Sequence, residues 1–395
     1  MSQGLTRNTR TGRGRLLLFG AGLIIVSWCG VAFGQNKNFI PVEGENLKAR
    51  VASAIVAGKA NAVNGRFWVA YQFEVRPGVA VDFEVVDNSG FVYTTFEGTS
   101  VMFDPRYETR ELGLFLLYDT GRQSFIRADI YNLRRTHEYG NYPVYWAGRI
   151  ANQESLDFLK SLVDSPGPES DRLAERAMFA IALHDDARVD EMLMEMIRRP
   201  LAEPLRSRAL YWLGNTPETE AKNKFLNAIV RSDRESIEAR HAAMSALAMS
   251  RSAASLTLLQ DLFETMPTRE LKRRALIGIG RNDNHDAAAN YLIRVAQDEK
   301  DVELRKNAIA SLGRIAGLKS LGALTGTVDG DADIEMQKQA VIAIGRRPKE
   351  EAIPILIRTA RNHPKMPVRK LAVQLLGQTG DERAVAFFRE LLSKD

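Results

Sequence analysis

Residues that could carry out chemistry are few and widely separated in this chain of 395 residues. An imidazole beside a carboxylate can bind a metal or transfer a proton. The histidines are His137, His184, His241, His285 and His363. Only His137 is followed directly by glutamate, while His184 and His285 are followed by aspartate. No zinc-binding helix motif, nucleophile elbow or phosphate-binding loop occurs. The sequence therefore predicts no catalytic residue, no metal site and no cofactor.

Basic residues that recur in register are the other candidate site. They could form a ladder that binds an acidic ligand, or they could pair with acids of the adjacent unit, for which Glu175, Glu238, Glu270 and Glu303 are available. The sequence favours pairing but leaves both interpretations open. The members of this predicted ladder are Arg206, Arg240, Lys272, Arg305 and Arg369.

The ladder follows an internal repeat of 32 to 34 residues. Each unit has an anchoring alanine, a large apolar residue one and four positions later, and a small residue five positions later. The anchors are Ala177, Ala209, Ala243, Ala275, Ala308, Ala340 and Ala372. Self-similarity at this period indicates a solenoid, in which no unit can bury its own apolar face without its neighbours.

Each unit is predicted to be a pair of helices. Seven positions before the anchor, five units have a residue suited to capping a helix N-terminus: Ser170, Ser236, Thr268, Asp301 and Asp333. The small residue after the anchor is expected to form a left-handed C-cap. Sixteen positions after the anchor lies the predicted core residue of the second helix: Leu193, Phe225, Leu259, Tyr291, Leu324, Leu356 and Phe388.

These features resemble HEAT repeats, and the short spacing resembles the phycobilisome-lyase type of HEAT-like repeat, over residues 139–395. The resemblance implies an α-solenoid that binds other molecules. HEAT-like deoxyhypusine hydroxylases bind two irons through repeated His-Glu pairs, but this chain has one such pair. His184 and His285 lie three repeats apart, about 30 Å for helices packed 8–10 Å apart, so they are not expected to share a metal.

Two units depart from the pattern. Residues 139–164 are interpreted as a degenerate leading repeat, with Pro143 in the place of the anchor and a second helix over residues 152–163. The second helix of a later unit contains Gly317, Gly322 and Gly326. Each interior glycine weakens a helix by about 1 kcal/mol relative to alanine. This helix is expected to be poorly formed or to act as a hinge.

Residues 45–136 are predicted to form a small α+β domain with antiparallel strands. A helix is expected over residues 45–62. The alternation from Phe67 to Val75 predicts a strand with one buried face, and Val79–Val86 is expected to pair with it as a hairpin. Further strands are expected over residues 91–96, 112–118 and 124–133. Trp68, Trp146 and Trp212 are expected to pack internally, the last two in the repeat core, rather than to bind carbohydrate.

The N-terminus has the pattern of an export signal. Four arginines, Arg7, Arg10, Arg13 and Arg15, precede an uncharged run over residues 16–34. This pattern predicts a signal peptide or an uncleaved signal anchor over residues 1–34, and residues 35–44 are expected to be a linker. The only cysteine, Cys29, lies in this run. The arginines supply most of the net charge of +5, so the rest is too neutral for nucleic-acid binding.

The sequence therefore predicts a small α+β domain at residues 45–136 and a HEAT-like α-solenoid at residues 137–395. The predicted function is a non-catalytic, exported scaffold that binds another envelope or extracellular protein along the concave face of the second helices. The alternative is an exported enzyme with its active site in the β-domain and the solenoid as a docking arm. Ionisable groups with perturbed pKa values in a β-domain pocket would favour the enzyme.

Overall fold

The computed structural model describes residues 39–82, 94–96, 99–103, 108–164 and 170–393. The predicted export segment, residues 1–34, and the first part of the predicted linker lie outside the described residues. Among the helices that are described, none has the length and apolar character needed to span a bilayer.

The N-terminal region is built on two sheets and one helix. Its elements are β1 (Phe39–Pro41), α1 (Leu47–Ala60), β2 (Arg66–Phe73), β3 (Val79–Val81), β4 (Thr94–Phe96), β5 (Thr99–Phe103), β6 (Leu112–Asp119), β7 (Ser124–Asn132) and β8 (Val144–Arg149). The larger sheet has the order β1-β8-β2-β6-β7, and the smaller has the order β3-β5-β4. In the larger sheet β8 is parallel to both β1 and β2, whereas β2, β6 and β7 are antiparallel.

Two predictions for this region are corrected, although the predicted antiparallel strands are present. The expected linker, residues 35–44, contains β1, which pairs with β8. The predicted hairpin does not form, because β3 pairs with β5. The reason is that the chain beyond β2 already has another partner: Val75 forms a bridge with His184, and Arg76 N donates to the Leu183 carbonyl at 2.9 Å.

Both faces of the central strand β2 are buried, which contradicts the prediction of one buried face. Phe67, Tyr71 and Phe73 belong to the core that continues into the helical array. Trp68 and Ala70, on the opposite face, pack in a second apolar cluster. Aromatic residues distant in sequence cover that face, so the alternation along β2 alone does not show it.

Helices occupy most of residues 152–392. They are α2 (Asn152–Val163), α3 (Ser170–Leu183), α4 (Val189–Arg198), α5 (Glu203–Asn215), α6 (Glu220–Arg231), α7 (Ile237–Leu247), α8 (Ala253–Thr265), α9 (Arg269–Ile279), α10 (His285–Asp298), α11 (Val302–Leu312), α12 (Leu318–Gly330), α13 (Ile334–Gly345), α14 (Lys349–Asn362), α15 (Met366–Gly377) and α16 (Glu382–Leu392). From α3 onward they form seven pairs within the described residues. Successive first helices, α3 to α15, pack on one another. This confirms the predicted α-solenoid after an α+β region.

All seven anchoring alanines are completely buried in the first helices. Their burial explains the strict register of the repeat, since a larger side chain has no room between packed helices. Three predicted N-caps are also confirmed: the side chains of Ser236, Asp301 and Asp333 accept hydrogen bonds from first-turn amides. Thr268 occupies the N-cap position without such a bond.

The leading repeat is only half correct. Its second helix is α2, as predicted, but residues 144–149 form β8 instead of a first helix. The backbone here is paired along both edges, with β1 on one side and β2 on the other. The Pro143 carbonyl also accepts from Trp68 N at 2.8 Å. Strand partners distant in sequence thus override the local helical pattern.

The small residue five positions after the anchor serves packing and not a left-handed cap. Gly280 and Gly313 have φ values of −69° and −62°, in the right-handed helical region. A Cβ atom on Gly214 would lie 2.7 Å from Ala246 Cα, and one on Gly280 would lie 2.8 Å from Ser311 Cβ. The glycines therefore allow the ends of successive first helices to touch.

The same glycine-to-alanine change is expected to have opposite effects at two positions. Gly214→Ala should lower the free energy of unfolding by about 1–3 kcal/mol, because its Cβ would collide with the α7 backbone. Gly322→Ala in α12 should raise it by about 0.5–1 kcal/mol, since nothing lies within 4 Å of its Cβ position. Urea unfolding followed by circular dichroism measures both. Equal signs for the two variants would contradict this explanation.

Candidate functional site

The structure places the predicted basic ladder among partners within the chain. Three of its arginines use Nε to cap the C-terminus of the preceding second helix. Arg206, Arg240 and Arg305 donate to the carbonyls of Ile197, Val230 and Ala296 at 3.1, 2.9 and 2.8 Å. The same three guanidinium groups form ion pairs with Glu235, Asp233 and Asp331, which lie in the loops between repeats.

The other two members of the predicted ladder also have internal contacts. Arg369 Nη1 donates to the His363 carbonyl at 2.7 Å, and the Lys272 ammonium lies 5.1 Å from the centre of the Phe263 ring. In the ion pair between Arg206 and Glu235, the hydrogen bond from the Arg206 guanidinium lowers the pKa of Glu235. These contacts favour the pairing interpretation over a binding ladder.

The partners are not those suggested by the sequence. Glu175 pairs with Arg208, Glu270 with Arg273 and Arg274, and Glu303 with Lys306. Arg206, Arg240 and Arg305 reach backward to carbonyls of the preceding second helix. Their ion-pair partners lie in the loop after the next helix for Arg206 and Arg305, and in the preceding loop for Arg240. The repeat register identifies these positions, but partner choice depends on how adjacent repeats are rotated.

The structure does not bring the histidines together. His137 lies at the sheet edge, where Nε2 is 3.2 Å from an Asp82 carboxylate oxygen. His184 and His363 are buried in different repeats, and His285 begins α10. Within the described residues, no group of three or more histidine, cysteine, aspartate or glutamate side chains could hold a metal ion.

The tryptophans after residue 34 all pack internally, but one does so in an unexpected place. Trp212 is fully buried in the helical core, with its ring centre 4.5 Å from that of Phe179. Trp68 is buried in the second cluster of the sheet. Trp146, predicted for the repeat core, lies on β8 and stacks on Phe39 at 5.4 Å. This follows from the strand that replaces the first helix of the leading unit.

The strongest chemical constellation is a buried hydrogen-bonded chain where β2 meets the helices. The hydroxyls of Tyr71 and Ser155 are 3.0 Å apart, and Ser155 Oγ is 2.8 Å from His184 Nε2. His184 Nδ1 lies 2.7 Å from the Ala180 carbonyl and therefore donates to it. Nε2 of the neutral ring then accepts from Ser155, and Ser155 accepts from Tyr71.

Burial controls the ionisation of this chain. Desolvation lowers the pKa of His184 to about 4 and also raises the pKa of Tyr71. Ser155 and His184 are at most 1% exposed, and the His184 ring stacks on Phe73 at 4.3 Å. A serine beside a neutral histidine has the composition of a nucleophile and its base. Here, however, the hydroxyl is sealed from solvent on all sides.

The same arrangement recurs deeper in the array, where it cannot be a serine–histidine pair. Asn282 Nδ2 is 3.4 Å from Ser255 Oγ, and Arg347 Nη1 is 3.1 Å from Ser320 Oγ. In each case the serine lies twelve positions after one anchor and its partner lies seven positions after the next. All three serines, Ser155, Ser255 and Ser320, are completely buried. Ser155–His184 is therefore the first member of a series of polar contacts between repeats.

Sequence reasoning missed this series, although a signal was present. Serine stands twelve positions after Pro143, Ala243 and Ala308, and a polar residue follows seven positions after the next anchor in each case. The other units have small or apolar residues at the serine position, so the pattern is weaker than the alanine register. The contact of Ser155 in α2 with His184 also shows that the second helix of the leading unit packs as in the other repeats, although the first helix is replaced by a strand.

An open cleft of about 360 Å³ lies next to this chain, where the end of β2 meets the first two repeats. Its lining includes Arg76, His184, Asp190 and Thr216. Burial lowers the pKa of Arg76 to about 10. Asp190 accepts hydrogen bonds from Thr216 at 2.5 Å and from Thr219 at 3.0 Å.

Lys222 lies behind this cleft. Its ammonium donates to the carbonyls of Thr216 and Pro217 at 2.7 and 3.0 Å, and burial lowers its pKa to about 8. The three perturbed groups Arg76, His184 and Lys222 thus lie at the seam between sheet and solenoid. The hydrogen bonds of His184 and Lys222 hold elements of the chain together.

Comparisons with known proteins support the repeat architecture. Residues 327–395 match the sequence pattern of HEAT repeats. No match was found among the curated proteins. The HEAT match and the seven helix pairs confirm the predicted HEAT-like repeats.

Solved structures similar to the chain include two named enzymes or enzyme complexes. Human deoxyhypusine hydroxylase in complex with glycerol is 18% identical, with 60% of this chain and 90% of that chain covered and a TM-score of 0.32. The complex of CpcE and CpcF of phycocyanin lyase from Nostoc sp. PCC7120 is 14% identical, with 66% and 98% covered and a TM-score of 0.32. The Escherichia coli protein YibA is 14% identical, with 62% and 90% covered and a TM-score of 0.34.

Proposed function

We propose that this HEAT-like repeat protein is a non-catalytic interaction scaffold that acts outside the cytoplasm and binds another envelope or extracellular protein. The observation that carries the proposal is the series Ser155–His184, Ser255–Asn282 and Ser320–Arg347. The position of His184, which would act as the base of a serine–histidine pair, is filled by Asn282 and Arg347 in the other two contacts. Their common role is to join adjacent repeats.

The proposed binding surface is the exposed side of the second helices, α4 to α16, which we call the second-helix face and expect to be concave. Arginines stack on aromatic rings here: Arg198 lies 5.1 Å from the Phe225 ring centre, and Arg294 lies 4.9 Å from that of Tyr291. Arginine and aromatic side chains carry much of the binding energy in protein interfaces. The exposed guanidinium groups of Arg198 and Arg294, held over these core rings, can therefore anchor a partner along this face.

Export is the second part of the proposal. It rests on the four arginines before the uncharged run at residues 16–34. A basic segment before an apolar one directs the following chain across the membrane. We infer that residues 35–395 are outside the cytoplasm, with residues 1–34 either removed or retained as an anchor.

The alternative, an exported enzyme with its active site in the β-domain, is favoured by one observation. The cleft of about 360 Å³ contains the perturbed groups Arg76 and His184. Arg76 follows β2, but His184 and most of the lining come from the repeats. The location at the seam supports the scaffold more than an active site in the β-domain.

Binding of an envelope partner is expected to depend on the second-helix face and only modestly on salt. The full-length protein, purified in mild detergent and immobilised, should retain a partner from solubilised envelope proteins. Asn290→Trp, at an exposed site on α10, should reduce retention about tenfold or more, because the indole would prevent close packing of the partner. Raising the salt to physiological concentration should change affinity less than about tenfold, since screened surface charges contribute little.

The matched control is Gln374→Trp, at an exposed site on the first helix α15. It should leave partner retention unchanged. Equal loss in both variants would contradict binding through the second-helix face. Complete loss of binding at physiological salt would show that the interaction is mainly electrostatic and that the main binding surface is wrongly placed.

A further inference from the structure

Three exposed arginines occur at one repeat position that the predicted ladder does not include. Arg281, Arg314 and Arg346 each lie six positions after an anchoring alanine. They follow the ends of the first helices α9, α11 and α13. We call these three residues the arginine row.

The packing of the helix ends sets the spacing of the arginine row. A Cβ on Gly280 would lie 2.8 Å from Ser311 Cβ, and one on Gly313 would lie 3.0 Å from Ala343 Cβ. First helices in such contact are about 8–10 Å apart. The arginines that follow them therefore lie beside each other on successive repeats. Burial and the charges of Arg281 and Arg346 together lower the pKa of Arg314.

Most other arginines of the array differ from this row because they form ion pairs with carboxylates. Arg208 pairs with Glu175, Arg269 with Asp301, and Arg361 with Glu390, in each case across adjacent repeats. Within the described part of the chain, the three guanidinium groups of the arginine row have no such carboxylate partner. The row therefore presents unneutralised positive charge where the array otherwise balances its charges.

We propose that the arginine row is a docking site for an acidic segment of a protein partner. This inference rests on the proposed scaffold role and specifies a chemical feature of the partner. Guanidinium groups bind carboxylates with two parallel hydrogen bonds. In an extended segment, residues three apart are about 10 Å apart, which matches the spacing of adjacent first helices. A linear row suits such a segment better than a membrane surface, which presents charge in two dimensions.

A purely structural role is the competing explanation. A positive charge near the C-terminus of a helix interacts favourably with the helix dipole. If this were the main role, removing the arginines would lower stability without changing binding. The mutual repulsion of the row opposes that effect, so we expect the thermal unfolding midpoint to change little.

The test measures binding of a fluorescein-labelled peptide with glutamate at every third position to the full-length protein in mild detergent. Fluorescence anisotropy should show binding at low salt that weakens at physiological salt. The variant with Arg281, Arg314 and Arg346 all changed to glutamine should bind about tenfold or more weakly. Arg314→Gln alone should cause a smaller loss, and it provides the test if the triple variant does not fold.

A matched control removes the same charge elsewhere in the array. Arg234, Lys300 and Lys370 are exposed, and their combined change to glutamine should weaken binding less than about threefold. Equal losses in the two triple variants would overturn the inference in favour of general charge attraction. Unchanged peptide binding by the arginine-row triple variant would also overturn it. A third contradicting result would be binding to phosphatidylserine vesicles that depends on the arginine row, together with no binding to the peptide.

Failure of this inference is distinguishable from failure of the scaffold proposal. If the arginine row binds no acidic segment, the parent and triple variants will bind the peptide equally, while Asn290→Trp still reduces retention of the envelope partner. If the scaffold proposal is wrong, Asn290→Trp will have no effect on retention. The peptide experiment does not depend on that result.

Discussion

Replacing Arg347 by alanine is expected to lower the free energy of unfolding by about 3–5 kcal/mol. The Arg347 side chain is 1% exposed and joins α13 to the preceding glycine-containing unit. Its guanidinium donates to the Ile315 carbonyl, to Ser320 Oγ at 3.1 Å and to the Gly317 carbonyl at 3.2 Å. Nε donates to Glu351 at 2.6 Å. Alanine would leave several buried polar groups without this donor, and a cavity beside them.

Urea unfolding of the full-length protein measures the loss, and hydrogen exchange locates it. Amides of α12 should lose protection most, because Arg347 fixes the loop that begins this helix. The control is Arg358→Ala, which removes a half-exposed ion pair with Asp329 and should cost less than about 1 kcal/mol. A similar small cost for Arg347→Ala would show that α12 does not depend on this contact.

Hydrogen exchange also tests whether the second helix of the glycine-containing unit is poorly formed or acts as a hinge, as the sequence predicts. The structure shows α12 as a continuous helix over Leu318–Gly330, with Ser320, Leu324 and Val328 buried. Gly317, predicted within the helix, instead precedes it as the N-cap residue with a φ of 109°. Gly322 and Gly326 lie on the open side of α12, where they weaken the helix without creating a packing defect. We expect α12 to exchange faster than α9 or α13 even in the parent protein, and much faster without Arg347.

Acidification is expected to destabilise the protein through His184. The pKa of this buried side chain is about 4 in the folded protein, against about 6.5 in an unfolded chain. Between these values the unfolded state binds a proton that the folded state does not, so stability falls as pH decreases. From about pH 7 to pH 5, the expected loss from His184 is about 2 kcal/mol, and about 3 kcal/mol once the folded pKa is reached.

The comparison that isolates this effect uses two histidine variants. His184→Gln should unfold more easily than the parent at neutral pH but lose about 2 kcal/mol less between pH 7 and pH 5. His285→Gln, at the exposed start of α10, should follow the pH dependence of the parent. If all three proteins lose stability in parallel, protonation of His184 is not the source of the acid sensitivity.

The sequence by itself determined the helical array. The alanine register places a small buried residue in each first helix, and Ala177 to Ala372 are all fully buried. The N-cap residues Ser236, Asp301 and Asp333 also act as predicted. These features are readable because helix periodicity and capping depend on residues close together in the chain. Repetition then reinforces each weak local pattern several times.

Only the tertiary structure decided which elements meet across the chain. Val144–Arg149 is a strand because β1 and β2 supply partners on both sides, although its sequence resembles a first helix. Likewise, Arg206 and Arg305 pair with loop acids whose positions depend on the rotation between repeats.

The candidate site divides in the same way. The residue types of Ser155 and His184 are visible in the sequence, but their contact depends on packing between α2 and α3. Whether they form a catalytic pair or a structural contact depends on burial and on the equivalent contacts of Ser255 and Ser320. Strand pairing, ion-pair choice and solvent access are non-local properties, because the free energy of each depends on groups that the fold brings together from distant parts of the sequence.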